Sequence, residues 1–398
     1  MKGSIMNIGR EDTPKSMDDT KINTYIRCEL DDKPFCGLVS VIIPVFNAKD
    51  TIKPCVESVL KQTYSCIQVI LIDDGSTDGS DDVCEELASA IYDSNRLDRL
   101  LNYEEASNNK PGIRKNIFTP EIIVIHIANS GVSYARNVGL QAVKGRWVTF
   151  VDADDIVTPD YIERLVEAVN IHKTQAISRD ATITDNNRNS LIMVTMTDRI
   201  IPGTDMTGYY YIEHGVLNED SHVWGKLFNK KEVDEFLGKE WFMNGLSIGE
   251  DMLMLLNLSV RIENKKAFRA IAKGSYIYTE NEHGVMLKPY NPSYLDQIRC
   301  WESAEEILEP CKGHINDYVY VRLAQIQIMA ALLVAGKIAL TNTYEEYTDE
   351  VALMKRAIKH ALNRNGSFAS LTATYKLKII IFKISPKLYL RMYKRWKR

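Results

Sequence analysis

Four short runs of β-branched residues, separated by helical stretches, constrain the fold of this chain more than any other feature. The runs are L-V-S-V-I-I (38–43), I-Q-V-I-L-I (67–72), I-I-V-I-H-I (122–127) and R-W-V-T-F-V (146–151). Three of them lack polar alternation, as expected for strands that are covered on both faces. Strands that alternate with helices predict a parallel sheet with right-handed crossovers, and therefore a doubly wound α/β fold.

The pattern changes along the chain and predicts four regions. Alternation of strand and helix fades beyond residue 170, and residues 294–363 are typical of helices. Residues 93–120 are a polar insertion before the third run, and 180–200 are compatible with a hairpin. The predicted regions are a poorly ordered extension (1–37), an α/β domain (38–200), a mixed region (201–290) and a helical region (291–398).

Composition excludes several classes of protein. The 398 residues carry a net charge of −4 with 26% charged residues, which argues against a disordered chain and a nucleic-acid binder. Seven scattered cysteines without a C-x-x-C pair indicate a reducing cytoplasm instead of a disulfide or zinc framework. The N-terminus has no signal-peptide core, and the apolar run 326–336 is too short to cross a bilayer, so we expect a buried helix there.

Polar residues follow three of the runs, at the edge where doubly wound sheets bind ligands. The second run ends in I-D-D-G-S-T-D-G-S (72–80), the third in A-N-S-G-V-S-Y-A-R-N-V-G (128–139) and the fourth in V-D-A-D-D (151–155). Neither G-x-G-x-x-G nor a P-loop lysine follows the first run, which excludes both kinds of nucleotide fold. Residues 74–85 match the spacing of a calcium loop, but a strand precedes them instead of a helix, and this disfavours an EF-hand.

The D-A-D-D motif is the clearest indication of a metal site. Asp152 and Asp154 are two residues apart, so in extended backbone their side chains point to the same side. Paired carboxylates at a strand end suit Mg²⁺ or Mn²⁺, which can bridge to a substrate diphosphate. The alternative is a surface turn with Asp155 as a helix cap. Asp73 and Asp74, at the end of the neighbouring strand, favour the functional interpretation.

The order and spelling of several motifs resemble those of a known family. V-S-V-I-I-P-V-F-N, I-D-D-G-S-T-D-G-S, N-S-G-V-S-Y-A-R-N-V-G and F-V-D-A-D-D, in this order, resemble the family 2 glycosyltransferases of GT-A fold. H-V-W-G-K-L-F (222–228) and G-E-D-M-L-M (249–254) resemble the acceptor half of the bacterial polysaccharide members. The resemblance implies a GT-A mainly parallel sheet, a mixed acceptor-binding region, and inverting transfer from a nucleotide-diphosphate sugar, expected to be UDP-linked, in cell-surface polysaccharide synthesis.

The resemblance also implies the donor and metal residues. Asp73 would read the edge of the nucleobase and Asp74 would support that loop, while Asp154, together with Asp152, would hold Mn²⁺ or Mg²⁺. A helix salt bridge is the alternative role of Arg136, and the end of a strand is the alternative role of Pro44. The residues implied in binding the donor nucleotide are Pro44, Asn47, Asp73, Asp74, Arg136 and Asp152.

Asp251 is the candidate general base. Inversion at the anomeric carbon needs a carboxylate that takes the proton of the acceptor hydroxyl during in-line attack. With a metal at the departing diphosphate, no acid is required for the leaving group. The alternative is that Glu250 and Asp251 cap the helix 252–260 and favour its dipole, and both roles are compatible.

Four residues are implied, with alternatives, in contacts to the acceptor or the diphosphate. Trp224 stacks on an acceptor sugar or packs in the core, and Lys226 meets a phosphate or solvent. Glu250 orients Asp251. His283 is a metal or diphosphate ligand, or a structural histidine.

The C-terminal tail predicts a second kind of contact. Residues 376–398 hold nine Lys or Arg and no acid, so the other 375 residues carry about −13. Lys387, Arg391, Lys394 and Arg398 share one helical stripe, with Tyr389, Met392, Tyr393 and Trp396 on another. Such a helix suits an anionic membrane surface, and a helix packed on its own domain is the alternative. We therefore expect a cytoplasmic enzyme, peripheral at the inner face of the plasma membrane, that acts on a saccharide or lipid-linked saccharide.

Two rival functions share these features. A sugar nucleotidyltransferase uses a similar sheet and similar carboxylates, but normally has a glycine-rich basic loop after the first strand, and Val45-Phe46-Asn47-Ala48 is not such a loop. A non-catalytic nucleotide-binding subunit of a polysaccharide assembly would keep the pocket. The presence of Asp152, Asp154 and Asp251 favours the metal-dependent glycosyltransferase.

Overall fold

The computed structural model describes residues 21–25, 37–90, 121–179, 191–279, 290–341, 343 and 346–397. Four parallel strands confirm the four runs found in the sequence: β2 (Val39–Val45), β3 (Ile67–Asp74), β4 (Glu121–Ile127) and β5 (Trp147–Phe150). The doubly wound α/β fold predicted from their alternation with helices is confirmed.

The parallel strands belong to a larger mixed sheet. The remaining strands are β1 (Lys21–Tyr25), β6 (Ile156–Val157), β7 (Met193–Thr197), β8 (Asp205–Thr207), β9 (Lys226–Asn229), β10 (Lys266–Ala272) and β11 (Tyr276–Ile277). Nine strands form one sheet in the order β1-β4-β3-β2-β5-β9-β7-β10-β8, and β6 pairs with β11 separately. Strands from both sides of residue 200 therefore share one sheet, and the domain boundary predicted there does not interrupt it.

Helices cover both faces of the sheet. They are α1 (Ile52–Leu60), α2 (Ser80–Ala90), α3 (Val132–Gln141), α4 (Tyr161–Arg179), α5 (Gly208–His214), α6 (Lys230–Leu237) and α7 (Glu250–Ile262). Val41 and Ile43 face one core and Ile42 faces the other, because successive side chains of a strand point to opposite faces. Because both faces of these strands are buried, their sequences are continuous apolar runs instead of alternating apolar and polar residues.

Strand β1 lies within the segment that the sequence predicts as a poorly ordered extension. It pairs antiparallel with β4, with Lys21 opposite His126 and Tyr25 opposite Ile122. K-I-N-T-Y is too short and too polar to indicate a strand by itself, and its pairing depends on the exposed edge of β4. The rest of the segment up to residue 36, the insertion 93–120 and most of the predicted hairpin lie outside the described residues.

The C-terminal helices form a third core, and the expected helical region is present. They are α8 (Asp296–Leu308), α9 (Tyr318–Ala339), α10 (Thr348–Leu362), α11 (Ala373–Ile384) and α12 (Pro386–Lys397). Helix α9 has 22 residues, twice the length of the apolar run 326–336. The argument that this segment is too short to cross a bilayer was therefore wrong. Of the described residues, this one helix is long and apolar enough to cross a membrane, yet 72% of its most apolar window is buried inside the protein. Its burial supports the predicted core helix.

Candidate active site

A cavity of about 420 Å³ lies at the carboxyl ends of the parallel strands. Strands β3, β2 and β5 are neighbours, so the loops that follow them meet at one edge of the sheet. Three carboxylate residues from two of these strands, Asp74, Asp152 and Asp154, contribute to the cavity wall. Pro44 and Asn47 of the loop after β2 also line it, as the resemblance implied.

Hydrogen bonds join the loop after β2 to the loop after β3. Asn47 Oδ1 accepts from the Thr77 amide at 2.8 Å, and the Asn47 amide donates to Ser76 Oγ at 3.0 Å. Asp78 accepts from the Ser80 amide at 3.0 Å and from the Lys49 amide at 3.1 Å. Asp78 therefore caps α2 and fixes the loop. Oxygens that a calcium loop would use are engaged by backbone amides, in agreement with the rejection of an EF-hand.

The two aspartates at the end of β3 face opposite ways. Asp74 lines the cavity and accepts from the Ser130 and Gly131 amides at 2.7 and 2.9 Å. Asp73 turns away, with its carboxylate 3.0 Å from His126 Nδ1, and it does not line the cavity. Alternation along the strand thus places Asp74, and not Asp73, on the cavity wall, and a role of Asp73 at the edge of the nucleobase stays a prediction.

The start of α3 forms the floor of the cavity. Gly131, Val132 and Ala135 line it, together with Asn129. Gly131 precedes the helix with φ of 88°, a conformation that a side chain would strain. The N-S-G-V-S-Y-A-R motif thus supplies cavity wall as well as Arg136, although only Arg136 was singled out from the sequence. Its glycine, just before a helix, was the available signal.

Arg136 is the centre of the polar network. Its guanidinium donates from Nη1 to Glu250 Oε1 at 2.9 Å and to Asp251 Oδ1 at 2.6 Å, and from Nη2 to Asp152 Oδ1 at 3.1 Å. The Arg136 side chain is buried and packs over the Phe242 ring. One residue therefore joins the D-A-D-D motif to the G-E-D motif, although Asp152 and Asp251 are 99 positions apart in the chain.

The network holds more negative than positive charge. Burial alone would lower the pKa of Arg136, but Asp251, Asp152 and Glu250 raise it above its usual value. Burial and the negative charge of Asp251 raise the pKa of Glu250, against the effect of Arg136. Burial also raises the pKa of Asp152, although 31% of this side chain is exposed to the cavity. Three carboxylates around one guanidinium leave a negative surplus that a cation would relieve.

Asp251 is held in place from two sides. It lies in the first turn of α7, which follows Gly249 at φ 90°. Besides the bond from Arg136, its Oδ2 accepts from the Val223 amide at 3.1 Å. The helix begins at Glu250 and Gly249 is its N-cap residue, so the two acids do not cap it as the alternative required; they lie within its first turn, where they favour the helix dipole.

Asp155 belongs to a separate, buried arrangement. It accepts from the Tyr276 hydroxyl at 2.7 Å and from the Thr279 amide at 2.8 Å. Burial raises the pKa of Asp155 to about 6, although both hydrogen bonds oppose the shift. The Tyr276 hydroxyl also accepts from the Asp152 amide at 3.1 Å. Tyr276 therefore fixes the backbone of the D-A-D-D motif, a role that sequence reasoning missed.

Three aromatic rings stack beside this network. The Trp224 ring lies 4.7 Å from His222 and 4.5 Å from Tyr276, with interplanar angles of 10° and 14°. Trp224 is the middle ring and is partly buried, whereas His222 is exposed. The faces of Trp224 are thus occupied by protein rings, and the ring available to a ligand is that of His222.

Lys226 lies outside the site. It is buried, and its Nζ is 2.6 Å from Asp220 Oδ1. Asp220 also accepts from the Tyr211 hydroxyl at 2.8 Å and from Thr195 Oγ1 at 3.0 Å. The sequence left two roles open for Lys226, contact with a phosphate or exposure to solvent. The structure shows neither, because the buried ammonium group neutralises the carboxylate of Asp220. His283 lies outside the described residues.

Asp152 and Asp154 fit a divalent metal. They share the cavity wall, and Mg²⁺ or Mn²⁺ commonly takes one or two protein carboxylates together with substrate phosphates and waters. The negative surplus around Arg136 lies beside them. No group of three or more His, Cys, Asp or Glu able to hold a metal occurs among the described residues. Phosphate and water oxygens would therefore have to complete the coordination.

Comparison with known proteins identifies relatives of the chain. Residues 40–219 match the family model described as glycosyl transferase family 2. The uncharacterised glycosyltransferase EpsJ of Bacillus subtilis is 24% identical over 337 residues, which cover 81% of this chain and 86% of EpsJ. The succinoglycan biosynthesis protein ExoO of Rhizobium meliloti is 26% identical over 54% of each chain.

Shorter and purely structural similarities agree with these matches. Glycosyltransferase GlyG of Streptococcus pneumoniae is 36% identical over 132 residues, which are 33% of this chain and 35% of GlyG. Residues 1–349 of S. aureus TarS, crystallised with UDP-GlcNAc, superpose with a TM-score of 0.56 at 16% identity, covering 91% of each chain. At that identity the likeness concerns the fold, and it confirms the GT-A fold expected from the sequence.

Proposed function

Since this chain belongs to glycosyl transferase family 2 and is a glycosyltransferase of polysaccharide biosynthesis, we propose that it moves a sugar from a UDP-sugar to a saccharide hydroxyl with inversion. One observation carries this proposal: Arg136 bonds to Asp152 on the cavity wall and to Asp251. A candidate base thereby lies next to the cavity that would hold the donor.

The donor would occupy the cavity at the strand ends. Its volume of about 420 Å³ suits a nucleotide, and its walls combine apolar and polar groups. Asn47 and Asp74 lie on the wall with Pro44, and the amino end of α3 favours negative charge there. TarS, which shares the fold, binds UDP-GlcNAc, and this supports a UDP-sugar as the donor.

Asp152 and Asp154 would hold a divalent ion, Mn²⁺ or Mg²⁺. When bound, it would supply positive charge to the leaving diphosphate. Arg136 stays on the protein side of this pair, where it limits the repulsion among Asp152, Glu250 and Asp251. The carboxylates thus stay close together without a bound substrate.

Asp251 would act as the general base. The acceptor oxygen forms a bond to the anomeric carbon, the bond from that carbon to the diphosphate breaks, and Asp251 takes the hydroxyl proton. The nucleoside diphosphate leaves with the electron pair. The Arg136 and Val223 donors aim the carboxylate, and Glu250 orients it through the shared guanidinium.

The acceptor would be a saccharide or a lipid-linked saccharide, used in the cytoplasm for a cell-surface polymer. The exposed ring of His222 offers a stacking surface for a sugar, and the next residue, Val223, bonds to Asp251. A sugar on this ring would lie close to the base.

A carboxylate-to-amide pair tests the proposal. Asp251→Asn should lower donor turnover by about 10²–10⁴-fold, because it removes the proton acceptor. Asp349→Asn is the matched control, since Asp349 also lies in the first turn of a helix but far along the chain in α10. The measurement is UDP release from UDP-GlcNAc, UDP-glucose and UDP-galactose with Mn²⁺, alongside the thermal shift caused by UDP.

The outcomes separate the rival functions. If Asp251→Asn loses turnover while UDP still raises its melting temperature as in wild type, Asp251 is supported as the base. Equal turnover in Asp251→Asn and wild type contradicts it. UDP binding without turnover of any donor would favour a nucleotide-binding subunit. Release of pyrophosphate from UTP and a sugar phosphate would favour the nucleotidyltransferase. A β-linked product from an α-linked donor, detected by NMR, would establish inversion.

A further inference from the structure

Helices α11 and α12 carry two rows of exposed apolar side chains. Leu377, Ile380 and Ile384 recur at helical spacing on α11, and Leu388, Met392 and Trp396 recur every four residues on α12. Their exposed fractions lie between 46% and 75%. Six large apolar side chains on two adjoining helices are more than the scattered exposure usual on protein surfaces.

The opposite faces of these helices are buried, which fixes the rows in place. Ile379 and Phe382 of α11, and Tyr389 and Leu390 of α12, belong to the third core. Tyr393 packs so closely on Gly336 of α9 that a Cβ there would lie 2.7 Å from its ring. The packed alternative raised by the sequence therefore describes one face of the tail, and the opposite apolar face stays uncovered.

An apolar groove of about 240 Å³ lies between the two rows. Leu377, Ile381, Met392 and Trp396 line it. Lys378 crosses its edge, with Nζ 5.7 Å from the centre of the Trp396 ring. An aromatic ring and a long basic side chain at the rim of an apolar surface are typical of the interface between water and lipid.

The charges around this face have one sign. Residues 376–398 hold nine Lys or Arg and no acid, and α9, on which the helices pack, has no acid either. Lys383, Lys387 and Arg395 are exposed. A soluble protein partner would need an acidic, apolar surface of matching shape, whereas a bilayer with anionic headgroups supplies both chemistries without such matching.

We propose that α11 and α12 form a docking surface for an anionic bilayer. The apolar rows enter the headgroup boundary, the groove accepts acyl-chain ends, and the basic side chains meet lipid phosphates. This inference does not depend on the proposed sugar transfer, because it concerns a different core and a different set of residues.

Vesicle sedimentation of the full chain tests the proposal. The probes are vesicles of phosphatidylcholine alone and of phosphatidylcholine with 30% phosphatidylglycerol. Wild type should bind the anionic vesicles at least about tenfold more tightly, given the contribution of each basic residue near the surface. The apolar variant is Leu388→Ser with Met392→Ser and Trp396→Ser, and the charge variant is Lys383→Gln with Lys387→Gln and Arg395→Gln. Each should lose at least about tenfold.

Matched controls keep the outcome decisive. Ile201→Ser removes an exposed apolar side chain elsewhere, and Lys231→Gln with Lys265→Gln and Lys266→Gln removes three exposed positive charges from the α/β part. Both controls should bind as wild type does. Equal binding of the test variants and wild type would overturn the proposal. The proposal would also be overturned if wild type does not bind vesicles and instead forms a dimer, measured by light scattering, that dissociates in the apolar variant.

Discussion

The Arg136 guanidinium lies 2.6 Å from the Asp251 carboxylate and 3.1 Å from that of Asp152, so one buried cation holds together the two halves of the candidate site. The cavity wall, through Asp152, and the candidate base Asp251 thus share a single positive charge. Removal of this charge would leave three carboxylates without compensation, so we expect both stability and activity to depend on it.

We expect Arg136→Met to lower the free energy of unfolding by about 3–5 kcal/mol, because a buried ion network that loses one partner leaves uncompensated charge. Urea unfolding measures this change. Addition of Glu250→Gln to the same variant removes one of the stranded carboxylates and should recover part of the loss. An Arg136→Met protein as stable as wild type would show that the network contributes nothing to the fold.

Removal of the metal should abolish turnover, and Asp154→Asn should raise the Mn²⁺ concentration for half-maximal activity by at least about tenfold, because the ion loses a charged ligand. The assay is UDP release during titration of an EDTA-treated sample with Mn²⁺. Asp50→Asn serves as control, since Asp50 is exposed near the cavity without lining it. Unchanged Mn²⁺ dependence in Asp154→Asn would remove this residue from the metal site.

His222→Ala should raise the KM for the acceptor by about two- to tenfold with little change in kcat, since it removes a stacking surface and no reacting group. His214→Ala is a close control, because His214 is also exposed and stacked on an aromatic ring, that of Tyr210 at 4.1 Å. Steady-state kinetics with saccharide acceptors give both parameters. A selective fall in kcat would instead indicate that His222 acts in the chemical step.

The pH dependence of stability should include a contribution from His126. Burial lowers the pKa of His126, but its hydrogen bonds to Asp73 and Glu85 outweigh this and raise it above 6.5. A group whose pKa is raised on folding stabilises the protein below its unfolded pKa, and this contribution is lost as pH rises through the folded value.

Wild type should therefore lose more stability than His126→Gln between pH 6 and pH 8.5. Unfolding in urea at a series of pH values measures the difference, with His214→Gln as the control histidine. Parallel curves for wild type and His126→Gln would show that the pair with Asp73 and Glu85 does not titrate in this range.

The positions of the parallel strands, and of the carboxylate residues that follow them, could be read from the sequence, because both depend on local patterns. A continuous β-branched run predicts a buried strand. Asp152 and Asp154 were expected to point the same way on extended backbone, but residues 153 and 154 form a turn, and it is this turn that brings both carboxylates to the cavity wall. The direction of Asp73 was not readable in the same way. Which of two adjacent aspartates faces the cavity depends on the register of β3 within the sheet.

Contacts between distant segments explain the other differences. Lys226 follows a tryptophan in a motif of the acceptor half, but its partner Asp220 is buried only once β9 joins the sheet. Trp224 was expected either to stack on a sugar or to pack in the core, and its ring is stacked between those of His222 and Tyr276. Strand β1 exists through pairing with β4 and carries no strong pattern of its own.

By itself, the sequence determined the α/β alternation, the edge of the sheet where polar residues collect, and the basic tail, because periodicity and charge are properties of neighbouring residues. Only the tertiary structure decided that Arg136 bonds to Asp152, Glu250 and Asp251, and that the tail both packs and exposes an apolar face. These features arise from contacts between segments that are far apart in the chain. Patterns among neighbouring residues do not specify the distances and orientations of such contacts.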